Sequence, residues 1–386
     1  MNKALLRKLL PHVIAVVVFL VIALIYCRPA LQGQVLQQSD VTQWKGMSKN
    51  LYDYKATHGH FPLWTVSMFS GMPAYQIAME PDVKFSPGIF YSIFTLGLSK
   101  PISFFFLACI CFYFLSQVLK VNPYLGIIGA LAFAYTTYNI GDIEAGHETK
   151  IQTVAFIPAF IASLILLYER KYLWGAALTA LFTMFLIAMN HMQIVYYAGI
   201  IAIFMTIGYL VQWIKTQQIK HAAIAISIAV GAGVIGILCN AAGILTTLDA
   251  SKTSIRGGTE LPDPGSTKSG LSKDYALSYS MYKTEPFVMM VPNMFGGSGE
   301  SILQKKEDSK SADVLQTMPN ELANNLAQAT ESYWGGIGPI APNVPFYLGA
   351  IICFLGLIGF FILDGKYKWW ILAAMILSFL MAWGQY

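Results

Sequence analysis

Charge is scarce in this sequence. Only 12% of its 386 residues are Asp, Glu, Lys or Arg, where a soluble domain of ordinary composition carries about 25%. With 56% hydrophobic residues, that shortfall excludes an ordinary soluble protein and also the disordered and fibrous classes. Cysteine is sparse too. Cys27, Cys109, Cys111, Cys239 and Cys353 lie within or at the ends of apolar runs. Their spacing suits neither a metal nor a secreted disulfide framework, so they read as small hydrophobes. No basic stripe accompanies the net charge of +5, which argues against nucleic acid and for membrane topology. No cleavable signal peptide is evident. Lys3, Arg7 and Lys8 precede about 17 apolar residues, a length that favours an uncleaved first helix. The GGSG at 296–299 lacks the following lysine and helix of a phosphate loop.

What the chain has is apolar blocks, each near the roughly 20 residues needed to cross a bilayer. Nine such segments are predicted, near 12–28, 101–119, 124–140, 151–168, 172–189, 192–212, 221–245, 345–363 and 369–384. A weaker stretch at 86–100 reads as an amphipathic helix at the interface or an early part of the second span. The predicted fold is an all-α polytopic membrane protein. Lysine and arginine set the orientation. With the amino terminus inside, the cytoplasmic turns carry Lys120, Arg170, Lys171, Lys215, Lys220, Lys366 and Lys368. The outer segments are then 29–85, 141–150, 189–193 and 246–344, and they hold nearly all the acids. The chain ends within or just after an apolar span, so a fragment of a longer protein is expected.

The candidate chemistry lies on that predicted outer face. Asp40, about a dozen residues past the first span, is placed to deprotonate a hydroxyl or bind a divalent cation beside a phosphate. An ordinary loop aspartate or a helix cap in SDVTQ is the competing reading. HGHFPLWTVSMFSGMPAYQ at 58–76 suggests a packed excursion over the membrane. Within it His60 could meet a phosphate, and Trp64 and Tyr75 could stack on a sugar or sit among headgroups. GDIEAGHETK at 141–150 is the densest cluster. Asp142 and Glu144 could hold a metal or position an acceptor. His147 and Lys150 could meet a lipid-linked phosphate, although a hydrophilic cap pinning a hairpin accounts for the same residues. Asn190 and His191 form a polar pair between apolar runs, either a site or helix-to-helix hydrogen bonding. In the second large loop, the islands 278–297 and 331–349 could line a groove with Glu285, Tyr333 and Trp334 or simply cap the bundle.

Several motifs give the chain a resemblance to a known family. QSDVTQW, FPLWTVSMFSGMPAYQ, GDIEAGHETKIQTVAFIP, DYALSYSMYKTEPFVMMVPNMFGG and YWGGIGPIAPNVPFYLGAIICFLGL followed by LMAWG resemble the bacterial YfhO family of multi-pass membrane proteins. That family looks like a branch of the GT-C glycosyltransferase superfamily, and the resemblance runs along the whole chain. It implies a GT-C-like helix bundle with two large extracytoplasmic loops in the bacterial cytoplasmic membrane. The implied activity is transfer of a sugar from a polyprenyl-phosphate donor to a cell-envelope polymer or glycolipid acceptor. Asp40 matches the position of the family's first-loop carboxylate. The paired or Glu-x-Asp acid of the fuller signature is missing there, which leaves a divalent cation, Mg or Mn, an open question. A non-catalytic envelope scaffold is the alternative. A lipid or polysaccharide transporter would need polar groups through mid-membrane, and most of the spans are clean.

Overall fold

The structure, a computed structural model, describes residues 3–78, 87–254, 272–278, 280–292, 294, 310–331, 347–362, 365 and 367–386. It is an all-α arrangement. In chain order the helices are α1 (Lys3–Tyr26), α2 (Arg28–Leu31), α3 (Ser39–His58), α4 (Pro87–Phe94), α5 (Ile102–Val118), α6 (Pro123–Ala134), α7 (Thr137–Ala145), α8 (Glu148–Tyr168), α9 (Tyr172–Ala188), α10 (Met192–Lys215), α11 (Ile219–Leu238), α12 (Ala241–Lys252), α13 (Lys273–Ala276), α14 (Lys310–Gln316), α15 (Asn320–Glu331), α16 (Ala350–Ile362) and α17 (Lys368–Trp383). Two-residue strands β1 (Trp64–Thr65) and β2 (Met72–Pro73) pair antiparallel.

Among the described residues, four helices are long and apolar enough to cross a membrane: Leu5–Tyr26 within α1, α8, α10 and α11. Five shorter apolar helices, α5, α6, α9, α16 and α17, fall on the remaining predicted segments. Two segments differ from expectation. The apolar run 124–140 breaks at Tyr135, and 137–145 turns into the separate helix α7. The run 221–245 breaks at Cys239 and Asn240 before α12. The second break has a visible tie: the Asn240 amide donates to the Met184 and Gly236 carbonyls at 3.0 and 3.2 Å.

The chain divides into two compact units. In the first, residues 1–135 and 142–259, the core is built on α8, the most enclosed of the four long apolar helices. Ala155, Phe156 and Ala159 of α8 meet Phe106 to Tyr113 of α5, Phe182 and Phe185 of α9, and Ala15 and Phe19 of α1. The rings of Phe156 and Phe185 stack at 4.7 Å. Glycine lets helices approach closely, as membrane packing favours. A Cβ on Gly236 would lie 2.7 Å from the Ala180 carbonyl oxygen and 2.6 Å from the Thr183 Cβ. Polar clips join the helices: His12 Nδ1 with Tyr113 hydroxyl at 2.8 Å, and Tyr168 hydroxyl with Thr206 at 2.7 Å.

The first large loop is not loop alone. Its 39–58 stretch is the 20-residue helix α3, ended by Gly59 at φ +80°. Leu51, Phe61, Ala74 and Ala78 form a small separate core beneath it, and Trp44 Nε1 donates to the Ile77 carbonyl at 2.9 Å.

The second unit comprises residues 136–141 and 260–386. Met281 N–H donates to the Ala382 carbonyl at 2.8 Å, Leu348 N–H to that of Met289 at 3.1 Å, and the Thr137 hydroxyl to that of Tyr347 at 3.0 Å.

Candidate functional site

Two helix junctions of the first unit have the same construction. At the first, α7 ends and Gly146 takes φ +94°. The His147 N–H reaches back to the Asp142 carbonyl at 2.9 Å, and the Gly146 N–H to that of Ile143 at 3.2 Å. This is the paired-bond stop that a left-handed residue after a helix makes. His147 then stands as the N-cap of α8. At the second, α9 ends, Asn190 takes φ +59°, and His191 stands as the N-cap of α10. Asparagine is one of the few residues other than glycine that tolerates this conformation. Each junction therefore places a histidine at the start of the next helix. Neither helix start has a side-chain cap, so first-turn N–H groups remain for other acceptors.

A third helix start completes the group. Gln38, the N-cap position of α3, donates through its side-chain amide to the Ile143 carbonyl of α7. The first turn of α3 lies so close to the α7–α8 junction that a Cβ on Gly146 would be 3.2 Å from Gln38 Cβ, Val41 Cγ2 and the Val41 backbone nitrogen. Asp40, in that first turn, is thereby brought to His147.

The charged groups form a chain. His147 Nε2 lies 3.1 Å from Asp40 Oδ2, and His147 Nδ1 lies 3.2 Å from Asp142 Oδ1. Lys150 Nζ donates to the same Asp142 oxygen at 3.0 Å. Asp142 is 1% exposed, and its Oδ2 has no partner among the described residues. Asp40 is half exposed. One helical turn keeps Lys150 beside His147 on α8, which is why the spacing in GHETK matters. A second ion pair, Lys100 with Glu148, ties the start of α8 to the residues before α5.

These residues border a cavity of about 300 Å³, lined by Asp40, Gly146, His147, Thr149, Lys150, His191 and Gln193. All come from the starts of α3, α8 and α10 or the residues just before them. His191 Nδ1 is buried without a partner among the described residues. Burial holds the His191 pKa below its ordinary value, and the Lys150 charge pushes it the same way, while Asp142 opposes. The cavity thus combines one half-exposed carboxylate with three basic side chains and three positive helix ends.

Of the predicted residues, the structure gathers Asp40, Asp142, His147, Lys150 and His191. Glu144 is exposed and Asn190 serves the backbone turn, and neither lines the cavity. His60, Trp64 and Tyr75 lie on the segment around the small loop core, outside the cavity lining, with His60 and Trp64 exposed. His60 Nδ1 bonds the His58 carbonyl at 3.1 Å, and Trp64 covers Gly71, where a Cβ would lie 2.7 Å from its Nε1. Glu285 lies in the second unit, buried, taking the Tyr282 N–H at 2.5 Å. Burial raises its pKa. Tyr333 and Trp334 lie outside the described residues. Gln38, Gly146, Thr149 and Gln193 were not singled out from sequence, although three of them sit inside GDIEAGHETK and the outer segment 189–193.

The fold and site thus define a helical protein with membrane-spanning character and a charged cavity built from helix starts. Comparison with protein-family models, with curated proteins and with solved structures finds no match.

Proposed function

We propose that the chain is a GT-C-type membrane glycosyltransferase of the YfhO kind, which moves a sugar from a polyprenyl-phosphate donor to an extracytoplasmic cell-envelope acceptor. The observation that carries this reading is the convergence of Asp40 with His147 and Lys150 on one cavity, although more than a hundred residues of chain separate them. A donor phosphate needs cations and N–H donors, and the starts of α8 and α10 offer both. A prenyl tail needs an apolar surface, which the bundle supplies. An acceptor hydroxyl needs a base with access to solvent, and Asp40 is half exposed at the cavity.

In this reaction Asp40 takes the acceptor's proton. The freed oxygen attacks the anomeric carbon, and the bond to the phosphate oxygen breaks. Lys150 and His147 stabilise the departing lipid phosphate. Among the described residues no three His, Cys, Asp or Glu side chains are placed to hold a metal. Asp40 and Asp142 are engaged by His147 and Lys150. The basic turns put the amino terminus on the cytoplasmic side, and the cavity then opens outward.

The test uses a labelled polyprenyl-phosphate sugar with purified wild type and Asp40→Asn. Loss of the base should lower transfer by about 10²–10⁴-fold. Equal turnover by the two proteins sinks the assignment. A non-catalytic scaffold has no need of a carboxylate, a histidine and a lysine gathered at one cavity.

A further inference from the structure

His147 is bound on both sides. Its two ring nitrogens face carboxylate oxygens of different residues, Asp142 at 3.2 Å and Asp40 at 3.1 Å. A neutral imidazole has one N–H and can donate to only one of them; donating to both takes the imidazolium. The two carboxylates differ in their freedom. Asp142 is sealed in and also holds Lys150, so it fixes the ring. Asp40 is half exposed, at the cavity edge.

The acid–histidine contact has a consequence for order. While Asp40 pairs with His147, its Oδ2 is turned to the ring and one of its lone pairs is taken. The Nε2–H that Asp40 holds is also a donor that an anion in the cavity can use, since His147 lines it. Asp40 and an incoming phosphate are both anions, so they compete for one donor. Nothing equivalent applies to Lys150, which Asp142 keeps beside the cavity throughout.

Resting on the glycosyltransferase reading, we propose that phosphate displaces Asp40 from His147, so that binding of the donor releases the base. The donor's phosphate takes the His147 Nε2–H, and Asp40 turns free to accept the acceptor's proton. Transfer is then ordered, with donor before acceptor. Without a donor phosphate the base is held against His147, which guards the site against deprotonating a stray hydroxyl. Asp142 acts as a positioning residue: it aims the ring and touches no reacting atom.

The competition makes an unusual prediction. Asp40→Asn, which should slow transfer, should bind phosphate more tightly than the wild type. Removing one negative charge about one hydrogen-bond length from the position an incoming phosphate takes is worth roughly five- to tenfold even at nearly aqueous screening. The experiment titrates the full chain in detergent with two probes, a polyprenyl monophosphate carrying no sugar and inorganic phosphate. Tightening of either probe by Asp40→Asn supports the competition, and the probe that the wild type binds better identifies the source as lipid-linked or free phosphate. His147→Gln guards against a general effect of charge. On that background the Asp40→Asn gain should vanish, a non-additivity of the kind that reports a shared partner.

Unchanged or weaker binding by Asp40→Asn overturns the competition while leaving phosphate binding, and with it the glycosyltransferase reading, in place. An equal gain with and without His147 also overturns it, because the charge would then act without the histidine. Failure of the wild type to bind either probe removes both the competition and the reading beneath it.

Discussion

Gly146→Ala tests the site's construction without touching a charge. The residue sits at φ +94°, a region where a side chain costs about 1–2 kcal/mol. The added Cβ would also lie 3.2 Å from three atoms of Gln38 and Val41, one of them a backbone nitrogen. Ordinary contact needs about 3.5–4.0 Å, so the α7–α8 junction and the first turn of α3 must part by roughly 0.3–0.8 Å. The Asp40–His147 contact is 3.1 Å, and such a displacement takes it to the edge of hydrogen bonding near 3.5 Å. Stability should fall by about 2–3 kcal/mol from the conformational and crowding costs together. Sugar transfer should fall by about 10- to 100-fold, because misplacement of a reacting group by a fraction of an ångström to an ångström costs that much. Denaturant unfolding in detergent and the labelled-donor assay read the two effects. Gly59→Ala is the control. It has φ +80° with open space around it, so it should lose about 1–2 kcal/mol and keep its transfer rate. A Gly146→Ala protein with wild-type stability and full transfer would refute the claim that the close approach sets the site.

Other outcomes follow from single contacts. Asp142→Asn leaves Lys150 and His147 without their buried carboxylate. Both side chains keep some water, so the loss should be about 2 kcal/mol, below the roughly 3–5 of a fully buried pair, read as a lower midpoint of unfolding. His191 resists protonation when folded, so acid should weaken the protein. As pH falls from about 6.5 through the lowered folded value, the unfolded chain binds the proton first and stability drops. His191→Gln should flatten that stretch of the stability–pH curve. Glu285 runs the opposite way. Its raised pKa means stability declines as pH climbs from about 4.5 through the folded value, and Glu285→Gln should remove that decline. Gly236→Ala drives a methyl group into the α9 backbone and should lower thermal stability by about 1–3 kcal/mol.

Much of the scaffold was legible, and the reason is physical. Apolar runs such as 192–212 and 151–168 have one favourable environment, so composition alone locates them. The charged cluster at 141–150 was legible because a turn between apolar helices needs few polar groups and this one has many. The breaks were not. Nothing in FAYTTYNIGDI announces that the helix stops at Ala134, since Tyr135 and the threonines are tolerated in a helix. Helix α3 was read as loop because its residues are polar on most sides, although cap signals were present: Asp40 in the first turn, Lys55 and His58 in the last, and Gly59 beyond. The pairing of Asp40 with His147 depends on a long-range contact, secured by Gln38 and by the missing side chain at Gly146. Local patterns carry no record of it. Gly146 was visible as a glycine in GHETK but not as the gap that α3 fills.

The break at Tyr135 has a consequence for the lipid around it. Helix α6 has 12 residues, about 18 Å of length, against a hydrocarbon layer of about 30 Å. Tyr124, Leu125 and Ile128 are exposed on it, a short apolar face suited to acyl chains. A bilayer crossed at α6 would have to thin, or its headgroups dip inward, at an energetic cost that rises with each ångström of mismatch. The thickness of the host bilayer is thus a variable in its own right, and short-chain lipids should suit reconstitution better than long-chain ones.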